Sequence, residues 1–281
     1  MDRLRARARA RAARVVFPEA AEPRVRDAMA RLAAEGLCVP VGLAEAASEG
    51  QVAALMRERG MAAPMARRLL RKPLMRAAAM VAAGEADAMV AGADAPTRRV
   101  IEAAAMCVGL APGVAAPSSF FLMRLADGRD MIWADCAVTV APDAEGLAAI
   151  ARASAASAEA LLGRAAVALL SYATGASGAG PSVDAVRAAA EATGFAGPVQ
   201  ADAALDAGVA ARKGVALGEV NVLVFPSLDA GNIAYKLAAR LAGAVAVGPM
   251  LQGFRRPVCD LSRGATVAEI VDSAVVASAM A

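Results

Sequence analysis

Short apolar runs and amphipathic stretches alternate along the chain. Val15 to Pro18 has the pattern of a short buried strand, and Arg24 to Glu35 follows with apolar residues at helical spacing. Cys38 to Leu43 is again short and apolar. Interrupted helical patterns run from Val52 to Ala83. Ala86 to Ala91 is a strand ending at Gly92, and Thr97 to Val108 is a helix that stops at Gly109. The stretch Ala111 to Ser119 breaks the pattern with prolines, a glycine and serines. Beyond it, Phe120–Arg124 and Met131–Thr139 flank Asp127 and Gly128, and Asp-Gly between two apolar runs signals a hairpin. The alternation then resumes, with a helix over 144–162, a strand over 165–172 and a helix over 183–193. Strands follow over 199–203 and 220–225, then a helix over 232–242. Strand–helix alternation predicts an α/β fold of mainly parallel sheets with helices on both faces. The break places a domain boundary near residue 112.

Composition narrows the function classes. The 281 residues suffice for two ordinary domains. A hydrophobic fraction of 58% raises the question of a membrane protein. No run approaches the roughly 18 consecutive apolar residues of a membrane span, so no membrane partner is expected. Residues 1–14 carry six arginines and one aspartate, a sum of +5, so the rest sums to −2 against the net +3. A nearly neutral body argues against nucleic acid as a partner. The arginine-rich start fits a solvated leading helix, a transit peptide or a polyanion-binding arm; the strand-like Val15 to Phe17 follows it without a cleavage signal. There is no histidine, and the four cysteines form no CxxC pair. This removes histidine catalysis, histidine-ligated zinc and Ser-His-Asp triads. With no secretory signal visible, a cytoplasmic location with reduced, mostly buried thiols is expected.

Four strand-to-helix junctions carry polar groups. Leu170 to Ser182 contains Thr174, Ser177 and the glycines 175, 178 and 180, with Ser182 as the expected N-cap. It fits an anion-binding loop or a plain tight connection, and matches neither GxxxxGK[ST] nor GxGxxG. Phe225 to Lys236 presents Asp229 and Asn232 as ligand contacts or helix caps. Gly92 to Arg99 offers Arg98 and Arg99, either phosphate ligands or surface charges. Last, Ser262 and Arg263 precede a helix whose first turn holds Glu269. A hydroxyl, a guanidinium and a carboxylate can line one small volume there. Thr266 with Glu269 equally makes a capping box.

In order, several segments resemble the phosphate acetyltransferase and butyryltransferase family over nearly the whole chain. They are Val16–Glu19, Ala88–Gly92, Ala134–Ala137, Leu170–Gly175, Leu228–Ile233, Gly248–Gly253 and Asp260–Gly264. The resemblance implies two α/β/α domains of the isocitrate/isopropylmalate dehydrogenase kind, with an active-site cleft between them. The first would comprise 1–112 plus 249–281, the second 113–248. It also implies a homodimer and reversible acetyl transfer between coenzyme A and phosphate, through direct thiolate attack in a ternary complex. Coenzyme A and acetyl phosphate would be substrates, with no resident cofactor, metal or covalent acyl-enzyme. By position, Ser262 and Arg263 match the family's serine–arginine pair, for hydrogen bonding and for phosphate and oxyanion binding. Glu269 falls where the family typically has an aspartate base. Substrate contacts are expected at Thr97, Arg98, Arg99, Thr174, Gly175, Ser177, Gly178, Asp229, Asn232, Lys236 and Gln252.

Some features depart from the family pattern. The segment 92–102 lacks the family's histidine, and Glu102 stands at the usual arginine position, which leaves Arg98 or Arg99 to act from the neighbouring turn. The alternatives are a non-catalytic acyl-CoA-sensing module, like the C-terminal region of multidomain malic enzymes, and a phosphate butyryltransferase.

Overall fold

The computed structural model describes residues 1–281. The chain divides into two compact units, Met1–Pro117 with Gly253–Ala281, and Ser118–Gln252. The divisions fall a few residues beyond the expected positions near 112 and 248.

The first unit opens with α1 (Asp2–Arg11), β1 (Arg14–Val16), α2 (Pro23–Ala34) and β2 (Val39–Val41). Three helices follow, α3 (Glu49–Arg59), α4 (Ala63–Leu69) and α5 (Pro73–Ala82). Then come β3 (Ala88–Ala91) and α6 (Thr97–Ala103), which continues as a π-helical turn, Ala104–Val108. In the second unit lie β4 (Ser118–Arg124), β5 (Asp130–Ala134), α7 (Ala144–Leu162), β6 (Val167–Leu170) and α8 (Pro181–Thr193). It goes on through β7 (Ala196–Val199), α9 (Ala201–Leu205), α10 (Ala207–Arg212), β8 (Val222–Val224), α11 (Leu228–Leu241) and β9 (Val245–Gln252). β10 (Val258–Asp260) and α12 (Val267–Met280) return to the first unit.

In the first unit the strands run in the order β2-β1-β3-β10, all parallel. Their side chains are nearly continuous apolar runs, as strands covered on both faces require. α12 buries Ile270, Val271, Ala274, Val275 and Val276, so it is a core helix rather than a surface one. The arginine-rich start is docked as well as solvated. α1 buries Leu4 and Ala8, and its Arg5 pairs with Glu35 at 2.9 Å and with Asp272 at 2.7 Å.

In the second unit the order is β9-β4-β5-β8-β6-β7. β4 is antiparallel to β5 and to β9, and the remaining pairs are parallel. The hairpin turns at 125–129, where Leu125 N–H donates to Arg129 O at 2.8 Å.

Four local expectations are corrected. The strand expected over 199–203 ends at Val199, and the alanine-rich 201–205 turns into α9, as alanine's helix propensity favours. The run from Met131 to Thr139 stops at Ala134 because the Asp135 carboxylate accepts from the backbone N–H of Ala137, Val138 and Thr139. Gly180, not Ser182, caps α8, since Pro181 is the first helical residue. For α11 the cap is Ser227, whose hydroxyl accepts from Ala230 N–H at 3.3 Å, so Asp229 and Asn232 are not needed for it.

No helix is long and apolar enough to cross a membrane. All four cysteines are buried and free. Burial pushes the Cys38 and Cys107 thiols up to about 12, and Cys136 and Cys259 higher still, so none is a ready nucleophile.

Candidate functional site

In a parallel sheet every strand delivers its following loop to the same edge, where such folds bind ligands. Three loops share that edge in the first unit: 17–22 after β1, 92–96 after β3, and 261–266 after β10.

The middle loop is wrapped around a carboxylate. Glu19 accepts from Gly92 and Ala93 N–H with one oxygen, at 2.8 and 2.9 Å. Its other oxygen accepts from Asp94 and Ala95 N–H, at 3.1 and 2.8 Å. Successive N–H groups of this kind form an anion nest, and here the chain's own glutamate fills it. Gly92 has φ +103°, and a Cβ built on it would lie 2.5 Å from Asp260 Oδ1 and 2.7 Å from Leu261 N. Only glycine allows the β3 and β10 loops to approach so closely.

Asp260 ends β10 and is buried, at 2% exposure. One of its oxygens accepts from Thr97 Oγ1 at 2.6 Å, while Oδ1 has no hydrogen-bond partner. Burial raises this carboxyl to about 6, with the Thr97 bond opposing and the Glu19 charge adding. Thr97 is the first residue of α6, so this bond ties the start of the arginine-bearing helix to the end of β10.

Ser262 and Arg263 stand exposed just beyond Asp260. The Ser262 hydroxyl accepts a long bond from Gly264 N–H, 3.4 Å, and its proton stays free to donate. Arg24 reaches this loop from α2. Its Nη1 donates to Arg263 O at 3.0 Å and to Ala265 O at 2.8 Å, and Nη2 to Ala93 O at 3.3 Å.

Glu269 closes the capping box of α12. Its Oε2 accepts from Thr266 N–H at 2.7 Å and Thr266 Oγ1 at 3.0 Å, leaving Oε1 unbonded. Arg98 is drawn off into an i,i+4 pair with Glu102 at 2.8 Å, whereas Arg99 is exposed and unpaired. Of the two candidate arginines, Arg99 is therefore the free one.

In the second unit, β5, β6, β7 and β8 are parallel and present their loops on one edge. Thr174 is buried, donates to Gln200 Oε1 at 3.2 Å and accepts from Gln200 N–H at 3.0 Å. Ser177 Oγ accepts from Thr174 N–H at 2.9 Å, so Gly175 sits in a tight turn with φ +57°. Gly178 lies against Ala173, with a built Cβ 2.8 Å from its Cβ. The Tyr172 hydroxyl closes the loop on Ala179 O at 2.7 Å. Asp229 is exposed in the first turn of α11, and Lys236 is exposed with Nζ 5.8 Å above the Tyr235 ring.

Two expected substrate contacts have other duties. Asn232 donates from Nδ2 to Cys136 O at 3.0 Å and pins α11 beside Gly231, where a Cβ would lie 2.5 Å from Asp135 O. Gln252 is buried, at 4% exposure. Its oxygen accepts from Ser118 and Ser154 at 3.1 and 3.3 Å, and its amide donates to Ser157 at 2.9 Å. Gln252 is thus an internal bracket for β4, β9 and α7, with its amide oxygen and nitrogen both engaged inside the unit.

The roles of Glu19, Arg24 and Asp260 come from the structure. In the sequence, Glu19 and Asp260 stand out only as members of the segments Val16–Glu19 and Asp260–Gly264, and all three lie at or beyond the carboxyl end of a parallel strand.

The chain matches the family model described as "Phosphate acetyl/butaryl transferase" over residues 44–278. The chain belongs to this family. A member named phosphate acetyltransferase, from Paracoccus denitrificans, is 40% identical over 98% of this chain and 97% of its own length. The phosphate acetyltransferase of Nitrosomonas europaea is 38% identical over 96% of this chain, which spans 44% of that longer protein. Among solved structures, the EutD phosphotransacetylase from Staphylococcus aureus superposes with a TM-score of 0.90. It is 32% identical over 99% of this chain and 98% of its own. Family membership therefore rests on sequence and on fold alike.

Proposed function

We propose that the chain transfers an acetyl group reversibly between coenzyme A and phosphate, with coenzyme A and acetyl phosphate as substrates. The observation that carries this reading is the sheet edge of the first unit in a chain of this family. There Ser262 and Arg263 follow β10, Arg99 lies in the helix after β3, and both guanidiniums are exposed and unpaired.

Glu269 is the proposed base. Its Oε2 is held by Thr266, and Oε1 remains to take the proton of the coenzyme A thiol. The thiolate attacks the carbonyl carbon of acetyl phosphate and forms the carbon–sulfur bond. Negative charge gathers on the carbonyl oxygen, beside the Arg263 guanidinium and the free Ser262 hydroxyl proton. As the carbonyl re-forms, the carbon–oxygen bond to phosphate breaks and phosphate departs with the electron pair, its charge met by Arg99. In the second unit, the 172–180 loop together with Asp229 and Lys236 is proposed to contact coenzyme A.

A homodimer accompanies this reading. α11 exposes Ile233, Leu237 and Leu241 at four-residue spacing, at 57, 52 and 81% exposure, a face suited to a second copy.

The test is thiol consumption and thioester formation with acetyl phosphate and coenzyme A, beside a folded Ser262→Ala/Arg263→Ala control. Turnover that the control loses supports the enzyme and its site, and butyryl phosphate then compares acyl length. Acetyl-CoA binding without turnover of either acyl phosphate would overturn the enzyme in favour of the sensing module.

A further inference from the structure

We infer that Arg24 is a positioning residue that holds the Ser262–Arg263 loop in its working geometry by stapling it to the loop after β3. The inference rests on the acetyl-transfer reading for its kinetic consequences, and on the following contacts for its substance.

The Arg24 guanidinium spends its donors on backbone carbonyls. Nη1 reaches Arg263 O at 3.0 Å and Ala265 O at 2.8 Å, on either side of Gly264. Nη2 reaches Ala93 O at 3.3 Å, in the loop whose N–H groups wrap Glu19. Nε donates to Glu22 Oε1 at 2.7 Å. Four of its five N–H donors are thereby engaged, which leaves little of Arg24 for a substrate anion. The anchor is itself fixed, because the other oxygen of Glu22 caps α2 by accepting from Val25 N–H at 3.0 Å. A rigid fork of this shape spans three carbonyls in a way that the single ammonium of lysine does not.

The consequence falls on the neighbouring loop. Ser262, Arg263 and Gly264 are exposed, and within the loop their restraints are the Gly264–Ser262 bond at 3.4 Å and the Ala265 N–H to Ser262 O bond at 2.9 Å. Without Arg24 the loop loses both of its carbonyl tethers to α2. Displacement of a catalytic group by about 1 Å is enough to cost about a hundredfold in rate.

The experiment is a kinetic cycle with Arg24→Ala, Arg24→Lys, Arg263→Lys and the double variant Arg24→Ala/Arg263→Lys, with acetyl phosphate and coenzyme A. Arg24→Ala is expected to lower kcat about 10- to 100-fold, with Arg24→Lys intermediate. In the Arg263→Lys background the further loss is expected to shrink to a few-fold, since a residue acting through Arg263 has little left to position. Full, multiplicative loss in both backgrounds would overturn the inference in favour of general destabilisation. So would an unchanged kcat in Arg24→Ala.

Amide hydrogen exchange supplies a readout independent of turnover. Gly264 and Ala265 are expected to exchange faster in Arg24→Ala, or in Arg24→Lys if the alanine variant does not fold. Unchanged exchange sinks the inference even if the wild-type chain has no acyl-transfer activity, whereas absent wild-type turnover alone counts against the proposed function.

Discussion

Replacing Gly92 by alanine tests how the two loops of the first unit are joined. The residue has φ +103°, where an L side chain is strained by about 1–2 kcal/mol. The new Cβ would also stand 2.5 Å from Asp260 Oδ1, 2.7 Å from Leu261 N and 2.8 Å from Leu261 O. Two of these neighbours are backbone atoms, and Leu261 N–H already donates to Ala91 O at 2.6 Å, so the contact cannot be relieved by turning a side chain. Overpacking of this kind adds about 1–3 kcal/mol. The sum, about 2–5 kcal/mol, is expected to lower Tm by roughly 5–15 °C in a protein of this size. Gly60→Ala is the matched control: it has φ +60° with nothing within 4 Å of the built Cβ, so it carries strain without contact. Thermal unfolding of the two variants isolates the contact contribution. At a temperature where both are folded, Gly92→Ala is expected to lose at least about tenfold in acetyl transfer, because Leu261 precedes Ser262 and Arg263. A Gly92→Ala protein no less stable than Gly60→Ala, with full activity, would refute the close approach.

Glu269→Gln keeps a side chain suited to the capping box but removes the base. Its Tm is expected to stay within a few degrees of wild type while kcat falls about 10²- to 10⁴-fold, and an unchanged kcat would move the base elsewhere. For Asp260, held at about 6, the folded chain keeps its proton longer than the unfolded chain, so stability is lost as pH rises from about 4 to about 6 and the full penalty, about 3 kcal/mol, applies above that. Urea unfolding of Asp260→Asn is expected to show a flatter profile across this window, and a slope equal to wild type would contradict the assignment. Arg99→Ala is expected to raise KM for acetyl phosphate about tenfold in steady-state assays, and an unchanged value would remove Arg99 from the site. Leu237→Glu places a charge in the exposed stripe of α11 and is expected to yield monomers in sedimentation velocity; an unchanged mass would assign any dimer to another face.

The elements legible in the sequence were those set by local pattern. α7 spans Ala144–Leu162 as its spacing predicted, because Asp143 accepts from Gly146 N–H at one end and Gly163 turns left-handed at the other. The β4–β5 hairpin was legible from Asp127 and Gly128. What escaped is non-local. Glu19 binds backbone N–H groups 73 to 76 residues away, and Arg24 binds carbonyls 239 and 241 residues away. Backbone donors and acceptors carry no side-chain signature, so neither partnership leaves a trace in residue type or spacing. Gln252 has non-local partners too: its amide sits at a strand end, and Ser118, Ser154 and Ser157, which enclose it, come from other elements. Glu269 shows why the capping and catalytic readings could not be separated by pattern. Both need a carboxylate three residues after Thr266, and the structure satisfies the cap with Oε2 alone. The same capping bonds that stabilise the start of α12 thus restrain the rotamer that aims Oε1, so the local rule for starting the helix also orients the proposed base.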